Sequence, residues 1–146
     1  MKKFKFKLQK LLDIKIKEEE ESKLNYTKAQ NDKKVVESNL EALKKNYEKY
    51  SNISNFDDIT NQKIIISYLS TLTHSIKVTN EKLKEEEIRV SKAKDEFIQK
   101  QIKRKSLETL KENEMFRLMK EEERVEQITN DEFALYAYIR NHANVS

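Results

Sequence analysis

Residues 65–90 read IISYLSTLTHSIKVTNEKLKEEEIRV, and the placing of their apolar side chains decides the fold. Steps of alternately four and three residues from Ile65 land on Leu69, Leu72, Ile76, Thr79, Leu83, Glu86 and Val90. That spacing is the seam of a coiled coil, a narrow apolar stripe that one helix shows to a partner. The same rule continues through Ala93, Phe97, Lys100, Arg104, Leu107, Lys111, Glu114, Leu118, Glu121, Val125, Ile128, Glu132, Leu135 and Ile139. Fourteen of these twenty-two positions are apolar, whereas a hydrophobic content of 36% gives about eight. A single register therefore holds over the whole stretch, as a supercoiled helix requires. Its polar gaps, Lys100 to Arg104 and Lys111 to Glu114, are where the helix is expected to fray or slip register, with Ile102 and Leu110 just off the stripe.

Towards the N-terminus the rule selects Leu8, Leu12, Lys15, Glu19, Ser22, Tyr26, Ala29, Lys33, Val36, Leu40, Leu43, Tyr47 and Tyr50. Nine of these thirteen are apolar against about five from composition, which marks a second seam, weak from Lys15 to Ser22. Between the two seams, eight of the eleven residues Ser51–Asn61 are Ser, Asn, Asp or Thr, whose side chains compete for backbone hydrogen bonds. Asp57 or Asp58 suits the N-cap of a following helix. The reading is an all-α chain of two long helices in an antiparallel coiled-coil hairpin. Helix 1 is expected at about 3–51, the bend at about 52–59, helix 2 at about 60–140 and a tail at 141–146, all in one domain, 1–146. At 1.5 Å per residue the helices measure about 73 Å and about 120 Å. Roughly thirty C-terminal residues, from about Met115 on, then lack an intramolecular partner while keeping Leu118, Val125, Ile128, Leu135 and Ile139. Such a stripe either frays or offers a docking surface. Phe4-Lys-Phe-Lys-Leu8 alternates as a strand does, yet a lone strand has nothing to pair with, so it is read as helix or frayed helix.

Composition agrees. With no glycine and no proline, the chain lacks the residues that disfavour a helix interior by about 1 and about 3 kcal/mol. Charged residues make up 38%, leaving enough apolar material for a seam and too little for a thick globular core. No apolar run approaches the roughly 20 residues that span a bilayer. Lysines recurring to Lys17 interrupt any signal-peptide core, so a cytoplasmic location is expected.

The sequence holds no catalytic, metal-binding or cofactor-binding candidate. A glycine-rich phosphate loop needs glycine, and Cys/His metal sites are excluded by zero cysteines and only His74 and His142. His74 reads as a helix-surface residue. Charge is segregated: residues 1–17 hold seven lysines and one aspartate, Glu18–Glu21 follow, and Glu121–Glu123 form another acidic cluster. Solvated coiled-coil flanks look like this; alternatively the basic end steers the chain to an acidic partner or an anionic membrane. Nucleic acid fits less well, because reading base edges favours Arg and Asn. Tyr47, Tyr50 and Tyr68 meet near the bend, as interface residues or as the end of the core.

Phe4-Lys-Phe-Lys-Leu-Gln-Lys-Leu-Leu-Asp-Ile14 with Ala29-Gln30, and Tyr68-Leu-Ser-Thr-Leu72 with Ile76, resemble stretches of the flagellar FliJ family. Lys103-Arg-Lys-Ser-Leu-Glu-Thr-Leu110 has Thr109 where Lys is usual, and Glu126-Gln-Ile-Thr-Asn-Asp-Glu-Phe-Ala134 departs at Thr129 and Asn130. That departure suggests a helix break with Thr129 and Glu132 as a capping box. The resemblance covers nearly the whole chain, in order and spacing. It implies a hairpin like the central stalk of rotary ATPases, non-enzymatic and without cofactor. It further implies docking into the hexameric export ATPase (FliI), association with its regulator (FliH), contact with the membrane export gate (FlhA) and escort of export chaperones. By that resemblance Leu40, Leu43, Tyr47, Tyr50, Tyr68 and Leu72 face the gate. Phe4, Leu8, Leu11, Leu118, Val125, Ile128, Leu135 and Ile139 face the ATPase. The other readings are a Lys-rich helical protein on nucleic acid or anionic membrane, and a structural homodimeric coiled coil.

Overall fold

A computed structural model describes residues 3–52 and 59–143. Among these residues there are two α-helices and no strand: α1, Gln9–Ser51, and α2, Ile59–Ala143. The two pack against each other as an all-α hairpin. Most of the expected bend, with Asp57 and Asp58, lies outside the described residues. Contacts group the chain into two units, Lys17–Gln101 and Met1–Ile16 with Ile102–Ser146.

In the unit Lys17–Gln101 the pairing runs antiparallel, because partners rise in number along α1 as they fall along α2. Tyr50 meets Tyr68, Asp32 meets Arg89, Tyr26 meets Phe97 and Glu18 meets Lys100, and each pair of numbers adds to between 118 and 123. The buried residues are Ser22, Ala29, Val36, Leu40 and Leu72, every one a seam position. Ala29, at 1% exposure, is the most enclosed: a methyl side chain there lets the backbones approach. Tyr26 and Phe97, both on the seam, stack with ring centroids 6.2 Å apart. Buried Ser22 donates its hydroxyl to Glu19 O at 2.9 Å, so the one buried polar side chain among the described residues is satisfied. Thr71 and Thr73 likewise donate to Ser67 O and Leu69 O, which keeps these hydroxyls from competing with the helix.

The second unit departs from expectation at its start. Helix was expected from Lys3, but residues 3–6 have no regular structure, 7–8 form a turn, and α1 begins at Gln9. The Lys/Phe alternation is what the chain obeys. Lys3, Lys5 and Lys7 are exposed while Phe4 is half-buried and Phe6 buried, as an extended segment lying on a surface requires. A helix would spread these residues around its axis and give up the burial of Phe6. Gln9 N–H bonds Phe6 O at 3.1 Å, and Lys111 Nζ donates to Gln9 Oε1 at 2.7 Å, tying the turn to α2. Leu12, 3% exposed, is the buried seam residue of this unit.

Two further expectations give way. The polar gaps of the second seam do not fray: α2 is unbroken, and Lys100, Arg104, Lys111 and Glu114 all stay partly covered. Their charges are engaged, Lys100 with Glu18 at 3.4 Å and Arg104 with Glu108 at 2.6 Å. Long stems cover the seam while the charged heads reach partners at its edge. Nor does the helix break at Thr129, whose hydroxyl donates to Val125 O at 3.0 Å inside a continuous helix.

Candidate functional site

Two surfaces among the described residues carry apolar side chains that the pairing leaves uncovered.

The first lies towards the ends of α1 and α2 in the unit Lys17–Gln101. Leu40 and Leu72 are buried at 6% and 5%, so these two hold the helices together and present nothing outward. Leu43 and Tyr50 are half-buried, and Tyr47 and Tyr68 are 38% and 39% exposed. Tyr50 and Tyr68 meet edge to face at 4.9 Å, with Lys49 Nζ 5.7 Å from the Tyr50 ring. The structure thus brings Tyr50 and Tyr68 together and leaves Tyr47 partly free. Sequence reasoning passed over Ile59, Ile64 and Ile66, which are 70%, 61% and 66% exposed. The signal was present: in Ile64-Ile65-Ile66 only Ile65 is a seam position, so its neighbours point elsewhere.

The second surface belongs to the unit that joins residues 3–16 to 102–143. Leu8 and Leu11 are each 39% exposed, and Phe4 and Leu118 are half-buried. Phe4 and Phe6 line a groove of about 690 Å³ with Met115 and Lys111, rimmed by Lys5, Lys7 and Lys10. From Ile65 to Leu118 every seam position of α2 is at least partly covered; after Leu118 none is. Val125, Ile128, Leu135 and Ile139 are 51%, 45%, 59% and 54% exposed, on a helix that runs on to Ala143. Counting seam positions underweighted one feature. Phe133-Ala-Leu-Tyr-Ala-Tyr-Ile139 is seven consecutive apolar residues, and the register rule picks out only Leu135 and Ile139. Phe133, Tyr136 and Tyr138 are exposed as well.

The electrostatics of this segment are acidic. Within 119–143 the acidic residues Glu121, Glu122, Glu123, Glu126, Asp131 and Glu132 outnumber the basic Lys120, Arg124 and Arg140, although Glu121 also shares a groove with Lys3, Lys5 and Arg117. Hydrogen bonding to Arg124, helped by its charge, holds the Glu121 carboxyl below the usual range and raises the guanidinium in turn. In the other unit the hydrogen bond to Asp32 raises Arg89. Among the described residues no His/Cys/Asp/Glu group could hold a metal ion, and no helix is long and apolar enough to cross a membrane. His74 is exposed; His142 packs on Tyr138 with ring centroids 4.0 Å apart.

Comparison with curated proteins and with solved structures gives no match. The family model described as Flagellar FliJ protein matches residues 4–143, a span that takes in both helices and both candidate surfaces, and the chain therefore belongs to the flagellar FliJ family.

Proposed function

We propose that this chain, a component of the flagellar protein export apparatus by its family, works there as a non-enzymatic helical stalk. In this reading the C-terminal part of α2 and the N-terminal residues Phe4, Leu8 and Leu11 dock into the export ATPase (FliI) and promote its activity. The surface around Tyr47, Tyr50 and Tyr68 faces the export gate (FlhA). The regulator of the ATPase (FliH) and the export chaperones complete the partners, and attachment to the cytoplasmic face of the membrane is peripheral.

One observation carries the reading. The seam of α2, partly covered as far as Leu118, continues in the same register through Val125, Ile128, Leu135 and Ile139, all of them exposed. Exposed apolar side chains in helical register suit a partner's groove, where each would gain burial. The test is turnover of the cognate export ATPase with and without the full chain. Stimulation that saturates with added chain supports the stalk, and unchanged turnover at saturating chain rejects it.

A further inference from the structure

Past Leu118 the free helix has two zones of different chemistry. In 121–132 the apolar side chains are Val125 and Ile128 alone, and six of the twelve residues are acidic. In 133–139 every residue is apolar. A helix turns once in 3.6 residues, so seven consecutive positions point in every direction around the axis. Phe133, Leu135, Tyr136, Tyr138 and Ile139 are 54–67% exposed, so each keeps more than half of its surface open even where Tyr138 packs on His142. A helix that is apolar all round is stable when it is enclosed. An open groove would cover Leu135 and Ile139 and leave Phe133 in water on the far side.

The acidic zone says what stands at the mouth of that enclosure. Glu121 and Glu123 have local cations, Arg124 at 3.1 Å and Lys120 at 3.8 Å. Glu122, Glu126, Asp131 and Glu132 have no ion pair among the described residues; Asp131 accepts only a 3.3 Å hydrogen bond from Gln127. Four uncompensated carboxylates repel a second copy of the same segment and an anionic lipid surface alike, and they attract a basic one.

We propose that the surface receiving this segment is an apolar socket that encloses Phe133–Ile139, with basic side chains at its mouth facing Glu122, Glu126, Asp131 and Glu132. The inference rests on the docking reading above and adds the chemistry of the partner. The Tyr136 and Tyr138 hydroxyls require polar partners inside the socket, since a buried phenol is normally hydrogen-bonded.

The test is binding of the full chain to the purified cognate export ATPase over a series of salt concentrations. Glu122→Gln, Glu126→Gln, Asp131→Asn and Glu132→Gln together should weaken binding roughly tenfold at low salt and flatten its salt dependence. Phe133→Ala with Tyr136→Ala should weaken it roughly a hundredfold at every salt concentration and leave the slope unchanged. Both variants should keep the helix content of the parent, because none of the six side chains is buried. A fourfold variant with the parent's salt slope, or an alanine pair that binds like the parent, overturns the socket while ATPase stimulation by the parent still supports the stalk. Self-association of the chain, abolished by the same alanine pair, would make a second copy the occupant and overturns the proposal. If the parent chain neither binds nor stimulates the ATPase, both readings fall together.

Discussion

Replacing Val125 and Ile128 by aspartate separates a free docking stripe from a segment already packed. In the free chain these residues are 51% and 45% exposed. An exposed substitution of this kind changes stability by about 0.5 kcal/mol or less, so the pair costs under about 1 kcal/mol. That figure includes the new repulsion of each introduced carboxylate by the glutamate one turn away, Glu121 for the first and Glu132 for the second. At roughly 3 °C per kcal/mol for a chain of this size, the melting temperature should fall by less than about 3 °C. Docking is another matter. Full burial of a Val or Ile side chain contributes about 1.5–3 kcal/mol, and with half of each already covered about 1 kcal/mol per residue remains to be gained. Losing about 2 kcal/mol weakens binding roughly 30-fold, before the cost of pressing two carboxylates onto an apolar surface is added. A thermal melt by circular dichroism and an ATPase titration with the variant read both quantities. The expected outcome is a nearly unchanged melt and no stimulation at concentrations where the parent saturates. A fall of about 10 °C would show that 119–143 is packed in the free protein, and stimulation at the parent's concentration would show that this stripe is not the contact.

Three other perturbations read other parts of the molecule. Leu72→Ala, at a position 5% exposed, should cost about 2 kcal/mol and lower the melting temperature by about 6 °C; an unchanged melt would mean that the seam is not the core. Tyr68→Ala should weaken binding to the export gate while preserving helix content, losing an edge-to-face contact with Tyr50 worth about 0.5–1.5 kcal/mol; loss of the fold would make Tyr68 a core residue. Arg124→Gln should let the Glu121 carboxyl rise back towards its ordinary value. With Arg124 present the charged carboxylate is favoured, so the interaction is complete above the ordinary carboxylate range and is lost as pH falls through the depressed value. A carboxyl NMR titration checks this, and an unmoved Glu121 would rule out Arg124 as the cause.

Why so much of the fold was legible comes down to how a two-helix seam works. Each helix has one partner, so only one face is covered, and any residue at the right spacing sits on that face whatever its chemistry. Lys100, Lys111 and Glu114 are polar, yet they lie partly covered on the seam beside Phe97 and Leu118. The gaps they make look like breaks only if apolar content, rather than spacing, is taken as the signal. The N-terminal segment failed for the opposite reason. Phe4 and Phe6 alternate like a strand, and an extended chain can lie on a helix without any strand to pair with. The point where the free stripe begins could only be bracketed, because hairpin register depends on the bend. Met115 was the expected limit, and the covered seam reaches Leu118. The tip from Phe133 to Ile139 escaped because a rule that samples two residues in seven does not register a run that fills all seven.

The long bare end of α2 also bears on how the free protein is broken down. From Glu123 to Ala143 every residue of the helix is exposed. Its backbone hydrogen bonds can open a turn at a time from the C-terminal end, at a cost set by the helix itself and not by unfolding of the hairpin. Each opening presents Phe133, Tyr136 and Tyr138 in extended chain, the kind of site that proteases with aromatic preference cut, and amide protons there should exchange long before those around Leu72. On the docking reading, a bound partner that clasps the helix would close both routes at once, so unoccupied copies should be trimmed first and the lifetime of the chain should record whether it has found its place.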